Sequence, residues 1–426
     1  MTIHIVKKGD SLYNIARRYG VSVQRIMSDN GLTQNQKLVV GQALIITLPA
    51  EIYTVRAGDS LFSIAAAYGI TVMELLQNNP GLINNPIVYP GQVLTISFQG
   101  NKIRTISISG YAYPNIDRSV LRRALPFLTY MAVFSYTFTD EGVLEDINDE
   151  EIIALAREYR AAPVMVLSSI GETGGFSTEK SSLLFNDKAL QDKVLDQVEQ
   201  VMIQKGYVGL ESDFEYIDPE DAQGYLDFLE NAAARMRKYG FFLEVALAPK
   251  TSASQPGLLY ESHDYAAIGA IADSVFLMTY EWGYTYGPPL PVAPVNLVRN
   301  VLRFAVSQIS REKVYMGIPN YGYDWTLPYI RGSAAQTIGN QAAILRAERY
   351  GAEIQFDEKS QSPFFEYYSA DRKKHIVWFQ DVRSVQASLS LADEFGLPGV
   401  GYWTLMKPFN QNWAYISTKY DIRKVL

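Results

Sequence analysis

The strongest constraint on how this 426-residue chain folds is a repeat near its N-terminus. Residues 5–15, IVKKGDSLYNI, recur at 54–64 as TVRAGDSLFSI, an offset of 49 that brings Gly9-Asp10-Ser11-Leu12 onto Gly58-Asp59-Ser60-Leu61. The match continues with Tyr19-Gly20-Val21 on Tyr68-Gly69-Ile70 and Asn30 on Asn79, and Gly41-Gln42 and Gly91-Gln92 close the units. Two copies make a tandem of small domains rather than a solenoid. Each reads strand, helix, helix, strand. In the first, residues 3–6 alternate as a strand and Asp10 or Ser11 is placed to cap a helix. Leu12, Ile15, Ala16 and Tyr19 give that helix an apolar face, and Gly20 ends it. A second helix is expected over 23–30 and a closing strand over 43–47.

From residue 103 onward, strand-like runs alternate with helical stretches. Candidate strands lie at 103–109, 128–135, 163–168, 207–215, 241–248, 274–280, 313–320 and 399–405. Helices are expected between them, for example over 150–159, 187–204 and 219–239. Eight strands with intervening helices predict an α/β fold, a (β/α)8 TIM barrel. The long gap before the last strand carries short alternating runs that predict a small α+β insertion. The expected domains are residues 2–48, 52–97 and 103–426, with the insertion at about 323–385. Only short linkers separate them.

Composition excludes several chemistries. There is no cysteine, hence no disulfide, thiolate metal site or cysteine nucleophile. His4, His263 and His375 are too scattered for metal-ligand spacing, so no metal and no cofactor are expected. The first hundred residues carry seven basic and five acidic side chains, the remainder 31 and 40. A barrel that acidic is a poor match for nucleic acid. No apolar run reaches the roughly 18 residues needed to span a membrane, and residues 1–6 do not open a Sec-type signal.

Glu211, Asp213 and Glu215 on the expected fourth strand carry the chemistry. A spacing of two puts them on one face, and the C-terminal end of a barrel strand opens on the active site. Crowded carboxylates there raise at least one pKa, as a general acid near neutral pH requires.

The N-terminal units, with GDSL and a late Gly-Gln, resemble LysM domains, which implies binding of N-acetylglucosamine-containing glycans. The fourth strand resembles the D-G-x-D-x-D-x-E signature of family 18 glycoside hydrolases. Gly209, Asp213 and Glu215 fit it, whereas Glu211 replaces the middle Asp and Val208 the first. Met278-Thr279-Tyr280-Glu281 is similar to the sixth-strand M-x-Y-D motif, with Glu281 for Asp. Met316–Pro319 with Tyr321-Gly322 fits strand seven, and Gly401-Tyr402-Trp403 fits strand eight. The third-strand S-x-G-G motif survives only as Ser168-Ser169-Ile170-Gly171. The combination resembles spore cortex-lytic N-acetylglucosaminidases of the SleL/YaaH type.

This resemblance implies substrate-assisted hydrolysis with retention. Glu215 would be the acid, Asp213 would orient the substrate's acetamido group, and Tyr280 would donate to its carbonyl oxygen. Trp403 would floor the sugar subsite, Met278, Tyr321 and Trp282 would line the cleft, and Glu211 and Glu281 would support the acid. It further implies a monomer located at the bacterial spore coat or cortex and acting on peptidoglycan. The alternatives are a hydrolase of chitin-like glycans with the same residues, a glycan-binding lectin, and a spore-coat protein with a vestigial barrel.

Overall fold

The computed structural model describes residues 1–171 and 174–426. In the first N-terminal unit, Thr2–Ile5 pairs antiparallel with Ala43–Ile46, and the helices Leu12–Tyr19 and Val23–Asn30 pack between them in sequence. Ser11, not Asp10, caps the first helix by accepting from the Asn14 N–H. Asp10 instead closes the preceding turn, accepting from the Lys7 N–H at 2.8 Å and from His4 at 2.9 Å. The second unit repeats the design, with Ser60 and Ser63 forming a reciprocal cap.

Eight parallel strands close the barrel. In order they are Arg104–Ala112, Tyr130–Phe138, Ala162–Ser168, Gly209–Asp213, Phe242–Leu247, Ser274–Leu277, Val314–Pro319 and Gly399–Trp403. Each pairs with the next, and the eighth returns to the first with Gly399 opposite Ser107. Alternation within the fourth strand sorts its side chains. Glu211 and Asp213 point into the barrel, while Ser212 meets Tyr225 of the helix outside, and the Phe214 ring that follows packs among Phe185, Tyr225 and Phe228.

After the seventh strand the chain enters a five-stranded antiparallel sheet, Gly322–Leu327, Gln336–Ile338, Gln355–Asp357, Ser362–Tyr368 and Lys374–Trp378, backed by the helix Asn340–Tyr350. Its own apolar cluster is built around Phe365, Val377 and Ile344.

The N-terminal units are not tethered beads. Leu75, Leu76, Leu82 and Ile83 of the second unit belong to the same continuous core as the barrel. Gln77 donates to the Pro126 carbonyl at 2.7 Å in a buried contact. The first unit is bolted to the last barrel helix, Asn410–Lys419: Gln411 donates to Asn30 at 2.9 Å and to the Ala43 carbonyl at 2.7 Å. It also meets the inserted subdomain, where the Ile354 N–H donates to the Val40 carbonyl at 2.9 Å. Gly41 sits at φ +84°, and a Cβ there would lie 1.8 Å from the Ile354 carbonyl oxygen, so the close approach demands glycine. A short linker does not by itself announce this packing. Among the described residues, no helix is long and apolar enough to cross a membrane.

Candidate active site

The C-terminal ends of the barrel strands surround a pocket of about 130 Å³. Glu211, Asp213 and Glu215 line one side, Tyr280, Glu281 and Met278 the next, and Trp403 closes it with Tyr111, Phe134 and Phe176. Seven of the nine residues singled out in the sequence therefore meet in one cavity. The other two stand beside it. Trp282 lines an adjoining depression that shares Tyr280 and Glu281 and continues over Thr251, Gln255 and Tyr260. Tyr321 is buried behind Glu281 and donates its hydroxyl to that carboxylate.

Each carboxylate reaches this place for a local reason. Glu211 is completely buried and accepts from the Tyr111 hydroxyl at 2.6 Å. Its second oxygen, and Oδ1 of Asp213, have no hydrogen-bond partner among the described residues. Unpartnered buried carboxylate oxygens are costly as anions, which favours holding protons. Glu215 lies just past the strand's last residue. The carbonyl before it, of Phe214, accepts from His263 Nε2–H at 3.1 Å, while His263 Nδ1 accepts from the Ala248 N–H at 3.0 Å. Burial brings His263 down to about 4, so it is neutral and holds the Phe214 carbonyl as a fixed hydrogen-bonding post.

The electrostatics follow from burial and crowding. Asp213 is pushed up to about 7 by burial. Glu211 is raised well above the usual carboxylate range, first by burial, then by the charges of Glu244 and Asp213. Burial also raises Glu215 well above that range, reinforced by Asp213 and Glu281. Glu281 is raised by burial while Tyr321 and Tyr323 pull it back. Burial and crowding thus favour the protonated forms of Glu211, Asp213 and Glu215, and of these three Glu215 alone is only half-buried, as is Glu281 beside it.

Trp403 is gripped edge-on by Phe134, ring centres 4.7 Å apart, and by Tyr111 at 5.7 Å, so its plane is fixed where it lines the pocket. Tyr280 is buried and lines the same cavity.

Two participants escaped the sequence reading. Glu244 stands opposite Glu211 on the fifth strand and is itself raised to about 7 by burial. Its signal was a lone acid inside the apolar run Phe241–Ala248. Tyr111, on the first strand, carried no signal that separates it from the chain's other 28 tyrosines.

The three histidines stay apart: His4 pairs with Asp10, His375 with Asp324, and His263 lies behind Glu215. The one group of three acids close enough to share an ion among the described residues, Asp146, Asp149 and Glu150, already shares the Lys205 ammonium at 2.7–3.1 Å.

Known proteins match both halves of the chain. The model of glycosyl hydrolases family 18 matches residues 101–407, and that of the LysM domain matches residues 4–47 and 53–97. The cortical fragment-lytic enzyme of Bacillus anthracis is 39% identical over 427 residues, covering 98% of each chain. The cortical fragment-lytic enzyme of Bacillus subtilis strain 168 is 38% identical, covering 100% of this chain and 99% of the relative. Among solved structures, the Bacillus cereus spore cortex-lytic enzyme SleL superposes with a TM-score of 0.84 at 35% identity, covering 99% of both chains.

Proposed function

The chain belongs to glycosyl hydrolases family 18 and carries two LysM domains, and from that premise we propose that it cleaves spore-cortex peptidoglycan fragments on the reducing side of N-acetylglucosamine, by substrate-assisted hydrolysis with retention. The observation that carries the reading is the single pocket in which a half-buried, proton-holding Glu215 stands with Asp213, Tyr280 and Trp403.

Glu215 donates its proton to the glycosidic oxygen as that bond breaks. The acetamido carbonyl oxygen of the same sugar attacks the anomeric carbon and closes an oxazolinium ring, so the chain supplies no nucleophile. Asp213 takes the acetamido N–H and offsets the positive charge that develops. The Tyr280 hydroxyl donates to the acetamido oxygen and Trp403 stacks under the ring. Glu215, now an anion, draws a proton from water, and that water opens the ring on the face the leaving group vacated. Glu211, one methylene longer than the family's aspartate, crowds Asp213 with a second buried carboxyl while the Tyr111 hydroxyl holds one of its oxygens.

The LysM units bind the same class of glycan. Tyr13 and Phe62, at equivalent repeat positions, are 68% and 75% exposed and present rings for stacking on sugars. We place the protein, as a monomer, at the spore.

The test is a digest of cortex peptidoglycan, vegetative peptidoglycan and chitin oligomers, with mass spectrometry of borohydride-reduced products. New reducing N-acetylglucosamine from cortex supports the proposal. Cleavage of chitin oligomers alone would make the protein a chitooligosaccharide hydrolase. Binding without cleavage of any would make it a lectin.

A further inference from the structure

Glu281 is held by two tyrosine hydroxyls that arrive from different parts of the fold. Tyr321 follows the seventh barrel strand. Tyr323 belongs to the first strand of the inserted sheet, and its hydroxyl lies 3.0 and 3.1 Å from the two Glu281 oxygens. Tyr323 is 5% exposed and sits between Thr337 and Trp378 in the sheet register. Its ring lies 5.6 Å from Tyr321 and 5.5 Å from Trp325, and its hydroxyl accepts from Thr285 at 3.5 Å. Glu281 has φ +68°, a conformation a non-glycine residue rarely adopts. Tertiary contacts, not a relaxed backbone, therefore fix where its carboxylate points.

The inserted sheet is itself braced from outside the barrel. Its helix and the residue preceding its third strand meet the first LysM unit through Gln341 to the Gly31 carbonyl at 2.8 Å, Glu348 to the Lys37 N–H at 3.1 Å, and the Ile354–Val40 bond.

We propose that Tyr323 is a positioning residue for hydrolysis: through it the inserted sheet holds the Glu281 carboxylate in place beside the Glu215 acid. The inference rests on the reading of Glu215 as that acid. The titratable groups facing Glu281 are Tyr321 and Tyr323 on one side and Glu215, Tyr280 and Tyr216 on the other. A fixed negative charge beside Glu215 disfavours its ionisation. Removing the Tyr323 hydroxyl takes one donor from Glu281, which then binds a proton more readily and is freer to turn. Glu215 consequently ionises at lower pH, and the alkaline limb of activity moves down.

The experiment is a double-mutant cycle on the full chain, reading kcat and KM against pH for Tyr323→Phe, Glu281→Gln and both together. Tyr323→Phe should move the alkaline limb of kcat/KM to lower pH by about half a pH unit and lower kcat, with KM changed less than about twofold. Glu281→Gln should move it at least as far, and the double variant should match Glu281→Gln alone, because both changes break one link. Tyr367→Phe is the control: it removes a hydroxyl from the same sheet, one bonded to Asp324 at 2.6 Å, and should leave the profile in place even if the melting temperature falls. An unmoved profile in Tyr323→Phe, or additive effects in the double variant, overturns the proposal. Activity surviving in Glu215→Gln would instead retire the acid assignment on which it rests.

Discussion

Gln411→Ala tests the joint between the first LysM unit and the barrel at one side chain. Gln411 is 2% exposed and makes three hydrogen bonds, to Asn30 Oδ1, to the Ala43 carbonyl and from the Val382 N–H at 3.0 Å. Three buried hydrogen bonds contribute about 3 kcal/mol net, and leaving the Val382 N–H and Ala43 carbonyl without partners adds about 1–2 more. The expected loss is therefore about 4–5 kcal/mol, a large part of the stability of an ordinary domain. Asn30 itself keeps its bonds to Ile26 and Ile45, so the LysM unit stays folded while its attachment weakens. Urea unfolding followed by tryptophan fluorescence is a suitable assay, because all five tryptophans lie in the barrel half and Trp413 is on the same helix as Gln411. A lowered midpoint, or a new early transition, is expected. A change below about 1 kcal/mol would refute the reasoning and mean that the joint carries little of the fold's stability.

Stability should also fall as pH rises. Asp213 and Glu244 are raised to about 7 in the folded chain, so between about pH 4 and 7 the native state binds more protons than the unfolded one and loses stability with each step upward. Calorimetry should show a higher melting temperature at pH 5 than at pH 8, and Glu244→Gln should flatten that slope. Asp213→Asn should lower kcat by about 10²–10³ with a small change in KM, since the charge it removes acts mainly in the transition state. Trp403→Ala should lower kcat/KM by about 10²-fold, about 2.7 kcal/mol at 1.36 kcal/mol per decade. Substrate saturation curves resolve both.

Period and spacing carried most of this structure. All eight barrel strands fall within or beside the expected runs, because a buried parallel strand reads as a short apolar stretch between helical patterns. The spacing of Glu211, Asp213 and Glu215 survives although the strand ends at Asp213, for all three still line one pocket. What the sequence concealed is tertiary. Glu244 becomes part of the acid cluster only through its register opposite Glu211. Tyr323 reaches Glu281 across 42 residues. The docking of the LysM units uses Leu75, Leu82 and Gln411, which look like any domain's own core and helix surface until two domains are placed together.

The central claim is that Glu215 protonates the leaving group while the substrate's acetamido group does the work of a nucleophile. The most direct measurement is proton NMR of the first product anomers released from a cortex glycan fragment, with Glu215→Gln alongside. The account predicts that the β-anomer appears first and mutarotates later, and that Glu215→Gln releases no product on that timescale. First appearance of the α-anomer, or undiminished turnover by Glu215→Gln, would contradict it.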